Sequence, residues 1–185
     1  LQAPTALAID IKGNLFVADP ATDDGGAIYK GGTAGALARF GGSTVRSPVG
    51  LAISDDGQDL YVTGRDPMDN QPAVFKISTV DGTPTMLVKG APLGQPSGIA
   101  LSNDGKIYVV DSAAVSGTPA VDGAGAVIRV DSNSATIFSK APLRVGFPAG
   151  LAATGQSDLL VNSNAPGAAG VFIITSTGDQ MGTGL

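Results

Sequence analysis

The chain has 185 residues, 43% of them hydrophobic, and its 11 basic and 16 acidic residues leave a net charge of −5. It contains no His, Cys or Trp, and all 16 acidic residues are Asp, so the chain by itself offers no Ser-His-Asp triad, no cysteine nucleophile, no disulfide framework and no ordinary zinc site. The acidic pI near 4.4 speaks against nucleic-acid binding, and no run approaches the roughly 18 apolar residues of a membrane-spanning helix.

The predicted elements recur in chain order. The first unit opens on PTALAIDIKGNLFVAD, Pro4 to Asp19, and continues with GAIYK at 26–30 and ALARF at 36–40. The second opens on PVGLAISDDGQDLYVTG, Pro48 to Gly64, followed by AVFKIS at 73–78 and TMLVK at 85–89. The third opens on PSGIALSNDGKIYVVD, Pro96 to Asp111, followed by AVIRV at 126–130 and TIFSK at 136–140. The fourth opens on PAGLAATGQSDLLVNS, Pro148 to Ser163, followed by GVFIIT at 170–175 and a weak last strand, QMGTGL, at 180–185.

The leading prolines stand 44, 48 and 52 residues apart, a period that belongs to propeller blades or helical arrays. Local chemistry selects the first. LFVA, LYVT, IYVV and LLVN are too short for helices and rich in β-branched and aromatic residues. The turns Lys12-Gly13-Asn14, Asp56-Gly57, Asp104-Gly105 and Gly155-Gln156 are expected to supply the positive-φ residues of hairpins. Asp81-Gly82 and Asp131-Ser132-Asn133 read as outer turns by the same logic. The expected fold is all-β: a β-propeller of four four-stranded blades at approximately 1–44, 45–92, 93–144 and 145–185. Blades pack through both faces, which accounts for runs such as ALAI and VFII where strict alternation is lost.

The shared pattern P-x-G-[LI]-A-[IL]-S-x-D-G-x-[LI]-Y-V-x-D, matched best by Pro96 to Asp111, resembles the NHL repeat and the blades of SMP-30/gluconolactonase-like propellers. The resemblance covers the inner half of all four blades. It implies the propeller fold; it says less about activity, because one architecture hosts many functions. The chain also departs from the pattern. The Asn-x-Arg-Ile-like segment that usually follows the Asp is missing, replaced by Pro20-Ala21-Thr22 and by Ser112-Ala113-Ala114. The SMP-30 lactonases use a Glu in their metal site and related lyases and esterases use His, and the chain has neither.

The resembling families mostly build larger rings. The chain begins at an innermost strand with Leu1 rather than Met, and it stops near an outermost one, so it reads as part of a ring of about six to eight blades, with a closed four-bladed ring as the alternative. An incomplete ring leaves apolar faces for a homodimer or further blades to complete.

In a propeller, the loop before the innermost strand and the loop after the second strand share the channel face. That rule assigns Asp19, Arg46, Arg65, Asp66, Gln95, Asp111, Phe147 and Asn162 to the candidate ligand-binding face. Asp19, Asp23, Asp24 and Asp111 are candidate oxygen ligands for Ca²⁺. The competing reading of Asp19 and Asp111 is structural, as caps of the following loop, and it is preferred because no Asp-x-Asp-x-Asp-Gly run occurs. Arg46 and Arg65 are candidate anion clamps, against the plainer reading of solvated arginines. The insert from Ser112 to Gly125 reads as a spacer or contact loop whose one reactive group is Asp122.

The sequence therefore favours a non-catalytic binding or scaffold module that takes a protein or small molecule on its channel face. The alternative is a Ca²⁺-dependent lactonase- or esterase-like hydrolase with further active-site residues in other blades or another chain. A third reading is a repeat module of a large surface protein. The acidic, lysine-poor, Ala- and Gly-rich composition suits a secreted or periplasmic protein.

Overall fold

The computed structural model describes residues 1–32, 35–117 and 124–182. Among these residues there is no helix, and the strands form four four-stranded antiparallel sheets, each in plain chain order. The chain divides into two compact units, Leu1–Lys89 and Gly90–Leu185.

The first unit holds β1 (Ala6–Ile9), β2 (Leu15–Asp19), β3 (Ala27–Gly31) and β4 (Ala38–Phe40) in one sheet. Its second sheet holds β5 (Leu51–Ile53), β6 (Asp59–Arg65), β7 (Pro72–Ser78) and β8 (Pro84–Lys89). The second unit pairs a sheet of β9 (Pro96–Leu101), β10 (Ile107–Ala114), β11 (Ala124–Asp131) and β12 (Ser134–Ile137) with one of β13 (Leu151–Ala153), β14 (Leu159–Ser163), β15 (Gly170–Ile174) and β16 (Gln180–Gly182).

Each inner hairpin turns on one left-handed residue. Gly13, Gly57 and Gly105 have φ of 80°, 70° and 76°, and each N–H bonds the carbonyl three residues earlier. In the fourth sheet that place is taken by Ser157, at φ 65°, and not by the expected Gly155-Gln156. The reason is local. Thr154 Oγ1 accepts the N–H groups of Gln156 and Asp158, so the turn starts at Thr154 and its corner falls on the third residue after it.

Two further expectations shift. The last strand of the third sheet is Ser134–Ile137 rather than 136–140, because the N–H groups of Phe138 and Ser139 both turn to the Val127 carbonyl and end the ladder. The 112–125 insert is strand at both ends, since β10 runs to Ala114 and pairs it with Ala124 across a bulge. Asp122 and the end of QMGTGL, residues 183–185, lie outside the described residues.

In the first unit the sheets pack through Phe16, Ala18 and Ile28 against Leu51, Leu60, Val62, Phe75 and Ile77. Phe16, Leu60 and Ile77 are fully buried, worth about 1.5–3 kcal/mol each relative to exposure. Phe16 meets Phe40 edge to face at 5.4 Å, and Lys30 Nζ sits over both rings while donating to the Thr79 carbonyl at 2.6 Å. In the second unit Tyr108, Val110 and Val127 pack on Leu159, Val161 and Ile174, and Tyr108 meets Phe138 edge to face at 5.0 Å.

The innermost strands carry a matching link. Thr5 Oγ1 donates to the Val49 carbonyl at 2.8 Å, and at the same repeat position Ser97 Oγ accepts the Ala149 N–H at 3.1 Å. Strand β1 breaks the expectation of burial on both faces. Its small residues Ala6 and Ala8 are half-buried, while Leu7 and Ile9 are exposed.

Candidate functional site

Site residues were expected on the channel face, in the loops before the innermost strands and after the second strands. Asp19 closes β2 and is fully buried. Its Oδ2 accepts the Gln2 N–H at 2.5 Å, and its Oδ1 accepts the Ala3 and Ala21 N–H groups at 3.1 Å each. Burial alone would raise its pKa, but the main-chain N–H donors outweigh burial and hold the carboxyl below the usual range. Asp111 in β10 is also fully buried and repeats the geometry: Gly94 N–H on Oδ2, Gln95 and Ala113 N–H on Oδ1, each at 2.9 Å. Both carboxylates tie the loop before the innermost strand to the end of the second strand.

The second sheet of each unit makes that tie without a carboxylate. At the Asp19 position of β6 stands Gly64, where an added Cβ would lie 2.5 Å from Val45 Cγ1 and 2.9 Å from the Arg46 carbonyl. The main chain comes close enough here for Arg46 and Arg65 to exchange N–H···O bonds of 2.9 and 2.7 Å. In β14, Ser163 Oγ donates to the Arg144 carbonyl at 2.8 Å and accepts the Ala165 N–H at 3.2 Å.

Other predicted residues are also held in place. Asp66 is buried; Lys89 Nζ at 2.7 Å is the main reason its carboxyl lies below the usual range, and it also accepts the Met68 N–H at 2.9 Å. Lys89 reaches Asp69 as well, at 3.0 Å, and the two carboxylates raise the lysine's pKa. Arg65 Nη1 donates to the Asn70 carbonyl at 2.8 Å. Asp66, Arg65, Lys89 and Asp69 together order the loop between β6 and β7. Lys89 was not singled out in the sequence, because only the fold brings it to Asp66 and Asp69.

Asp23, Asp24 and Arg46 come together in the first unit, in an open cleft of about 370 Å³ floored by Gly25 and walled by Ser43 and Pro67. Asp24 is bound by Arg39, chiefly, and by Thr22 Oγ1 at 2.9 Å, which depress its pKa; the pairing raises that of Arg39. Asp23 Oδ1 accepts Gln2 Nε2, at 3.3 Å. The aliphatic stem of Arg46 lies over Gly25, and among the described residues no carboxylate is within ion-pairing distance of Arg46.

The second unit has an open cleft of about 390 Å³ between Ser112, Gly125 and the 142–145 loop, with Arg144 on its wall. The two ends of the 112–125 insert line it, whereas the ligand-face candidates Gln95, Asp111, Phe147 and Asn162 do not. Gln95 Oε1 accepts the Ser112 hydroxyl at 3.2 Å, Phe147 is half-exposed, and Asn162 Oδ1 accepts the Gly150 N–H.

A calcium centre needs several free oxygens converging on one point. Among the described residues no three acidic side chains form such a group. Asp19 points both oxygens at N–H donors, and Asp24 is spent on Arg39. The donors of these carboxylates do not fit a bound cation.

No family model matches the chain, and no curated protein matches its sequence. Solved structures do. Gluconolactonase from Xanthomonas campestris is similar over 96% of this chain and 60% of its own, with a TM-score of 0.69 and 18% identity. A chain of the nidogen–laminin complex is similar over 94% of this chain and 65% of its own, with a TM-score of 0.66 and 17% identity. TolB from Acinetobacter baumannii is similar over 95% of this chain and 41% of its own, with a TM-score of 0.67 and 15% identity. The chain thus spans less than two thirds of each. These likenesses show the fold to be that of a β-propeller.

Proposed function

We propose that this chain is a non-catalytic propeller module that binds a protein or small-molecule ligand through the loops at the ends of its second strands. The observation that carries this reading is the state of Asp19 and Asp111. The acidic residues at the position where a propeller site is expected spend both oxygens on main-chain N–H groups. A carboxylate so engaged is a poor general base and a poor metal ligand. The exposed Arg46 beside Asp23 remains available for ligand contacts.

The test is turnover. The purified protein is expected to hydrolyse neither lactones nor aryl esters, with or without Ca²⁺ or Mg²⁺. Metal-dependent turnover that disappears in Asp19→Ala or Asp111→Ala, while both variants stay folded, overturns the reading.

The likeness to a gluconolactonase supports a second reading, a metal-dependent hydrolase whose ligands come largely from other blades. That reading requires Ca²⁺ binding by the complete protein, and a flat calorimetric titration with Ca²⁺ removes it. We also propose a secreted or periplasmic location, on the acidic, lysine-poor composition; recovery of the protein in the cytosolic fraction of its source cells argues against it. No helix among the described residues is long and apolar enough to cross a membrane.

A further inference from the structure

We propose that the cleft holding Asp23 and Arg46 in the first unit binds a free α-amino acid, with its carboxylate on Arg46 and its ammonium on Asp23. The inference rests on the binding role above and names the class of ligand.

The carrying observation is a pair of opposite charges that share one cleft without meeting. Arg46 and Asp23 both line it, and both residues are exposed. Among the described residues neither forms an ion pair, with the other or with any third group. Asp24, a further charge on the cleft, is engaged by Arg39 and by Thr22 Oγ1 at 2.9 Å, so it does not serve Arg46. All of these residues belong to the first unit, in β4 or in loops that join its consecutive strands.

The main chain fixes where Arg46 stands. Its N–H and carbonyl exchange bonds with Arg65, and the next N–H, that of Ser47, bonds the Gly25 carbonyl at 2.6 Å. Ser47 sits at φ 45°, and Gly25 and Gly26 at 94° and 101°, conformations that persist only where the surroundings impose them. The arginine stem lies along Gly25, where a Cβ would come within 3.3 Å of its Nε and 3.4 Å of its Cγ. Asp23 is steadied by Gln2 Nε2.

These charges select the ligand. A guanidinium alone suits any carboxylate or phosphate. Asp23 and Asp24 beside it disfavour a multiply charged anion and favour a ligand that brings its own positive charge. An α-amino acid carries both charges on one carbon, and it satisfies Arg46 and Asp23 without adding net charge to the cleft. Val45 and Pro67 offer an apolar wall to an aliphatic side chain, and the volume of about 370 Å³ is that of a small-molecule site.

The probe is L-leucine, titrated into the full chain and followed by calorimetry and by the Arg46 Nε–H resonance, which is identified by its loss in Arg46→Gln. Saturable binding in the millimolar range is expected. Isocaproate, which lacks the ammonium, and isoamylamine, which lacks the carboxylate, are each expected to bind about tenfold more weakly or worse. Arg46→Gln is expected to abolish leucine binding. Asp23→Asn is expected to weaken it about tenfold and to leave isocaproate binding no weaker. Both substitutions keep the main-chain bonds of these loops, and an unchanged thermal midpoint checks that the variants are folded. No saturable binding at tens of millimolar leucine, isocaproate binding as tight as that of leucine, or full leucine binding by Asp23→Asn overturns the proposal. Turnover is read separately: a chain that neither hydrolyses substrate nor takes leucine loses this ligand and keeps the non-catalytic role.

Discussion

At the end of its second strand, the first sheet of each unit places a buried aspartate and the second sheet places something else. Asp19 and Asp111 each collect three main-chain N–H groups, two of them from the loop that leads into the innermost strand. Gly64 lets the main chain approach until Arg46 and Arg65 pair directly, and Ser163 makes one bond in each direction. Four repeats need the same tie, and three chemistries make it. A residue type recurring at one place in a repeat is here one of several ways to satisfy polar groups that would otherwise be buried without partners.

Substitutions at these positions test the equivalence. Asp19→Ala and Asp111→Ala are expected to cost most. Three N–H groups lose their acceptor, and even with water recovering part of the loss the cost is about 3 kcal/mol each, read by urea unfolding. If either variant unfolds at the parent midpoint, the clamp is not structural and the ligand reading of these aspartates revives.

Gly64→Ala comes next, at about 1–3 kcal/mol, because its Cβ would sit 2.5 Å from Val45 Cγ1 and 2.9 Å from a backbone oxygen. Gly64→Asp, which writes the first sheet's solution into the second, is expected to be worse than Gly64→Ala rather than better. Ser163→Ala removes one donor and one acceptor and is expected to cost about 1 kcal/mol.

The pH dependence sharpens the same contrast. The folded pKa of Asp19 lies below its unfolded value, so its contribution is complete above about pH 4 and is lost as pH falls through the folded pKa. Asp19→Asn is therefore expected to flatten the acid limb of the stability curve. Ser163→Ala is expected to leave the shape of that limb unchanged. The smallest effect is expected at the exposed Asp24–Arg39 pair, where Arg39→Gln should change the thermal midpoint little and the change should vanish in high salt.

Much of the architecture was legible before any coordinates. The proline-led repeat, the strand composition and the turn glycines each act within a few residues, so they could be read from LFVAD, IYVVD and their neighbours. The misreadings were local too. Ser157 replaced Gly155 at the corner because Thr154 fixed where the turn begins, and β12 moved because two N–H groups competed for the Val127 carbonyl.

The candidate site was legible only in part. Position in the repeat pointed to Asp19 and Asp111, and the preferred structural reading of them agrees with their bonding. It could not single out Lys89 as the partner of Asp66 and Asp69, or Arg39 as the partner of Asp24, because 15 to 23 residues of intervening chain must fold before those side chains meet.

Taken alone, the sequence determined the number and kind of strands and the absence of His, Cys and Glu chemistry, since both follow from short stretches or from composition. Only the tertiary structure decided which N–H groups claim each buried carboxylate, and why Leu51 is covered while Leu7 is open. Those outcomes depend on which segment or sheet lies alongside, and identical side chains at identical repeat positions meet different neighbours.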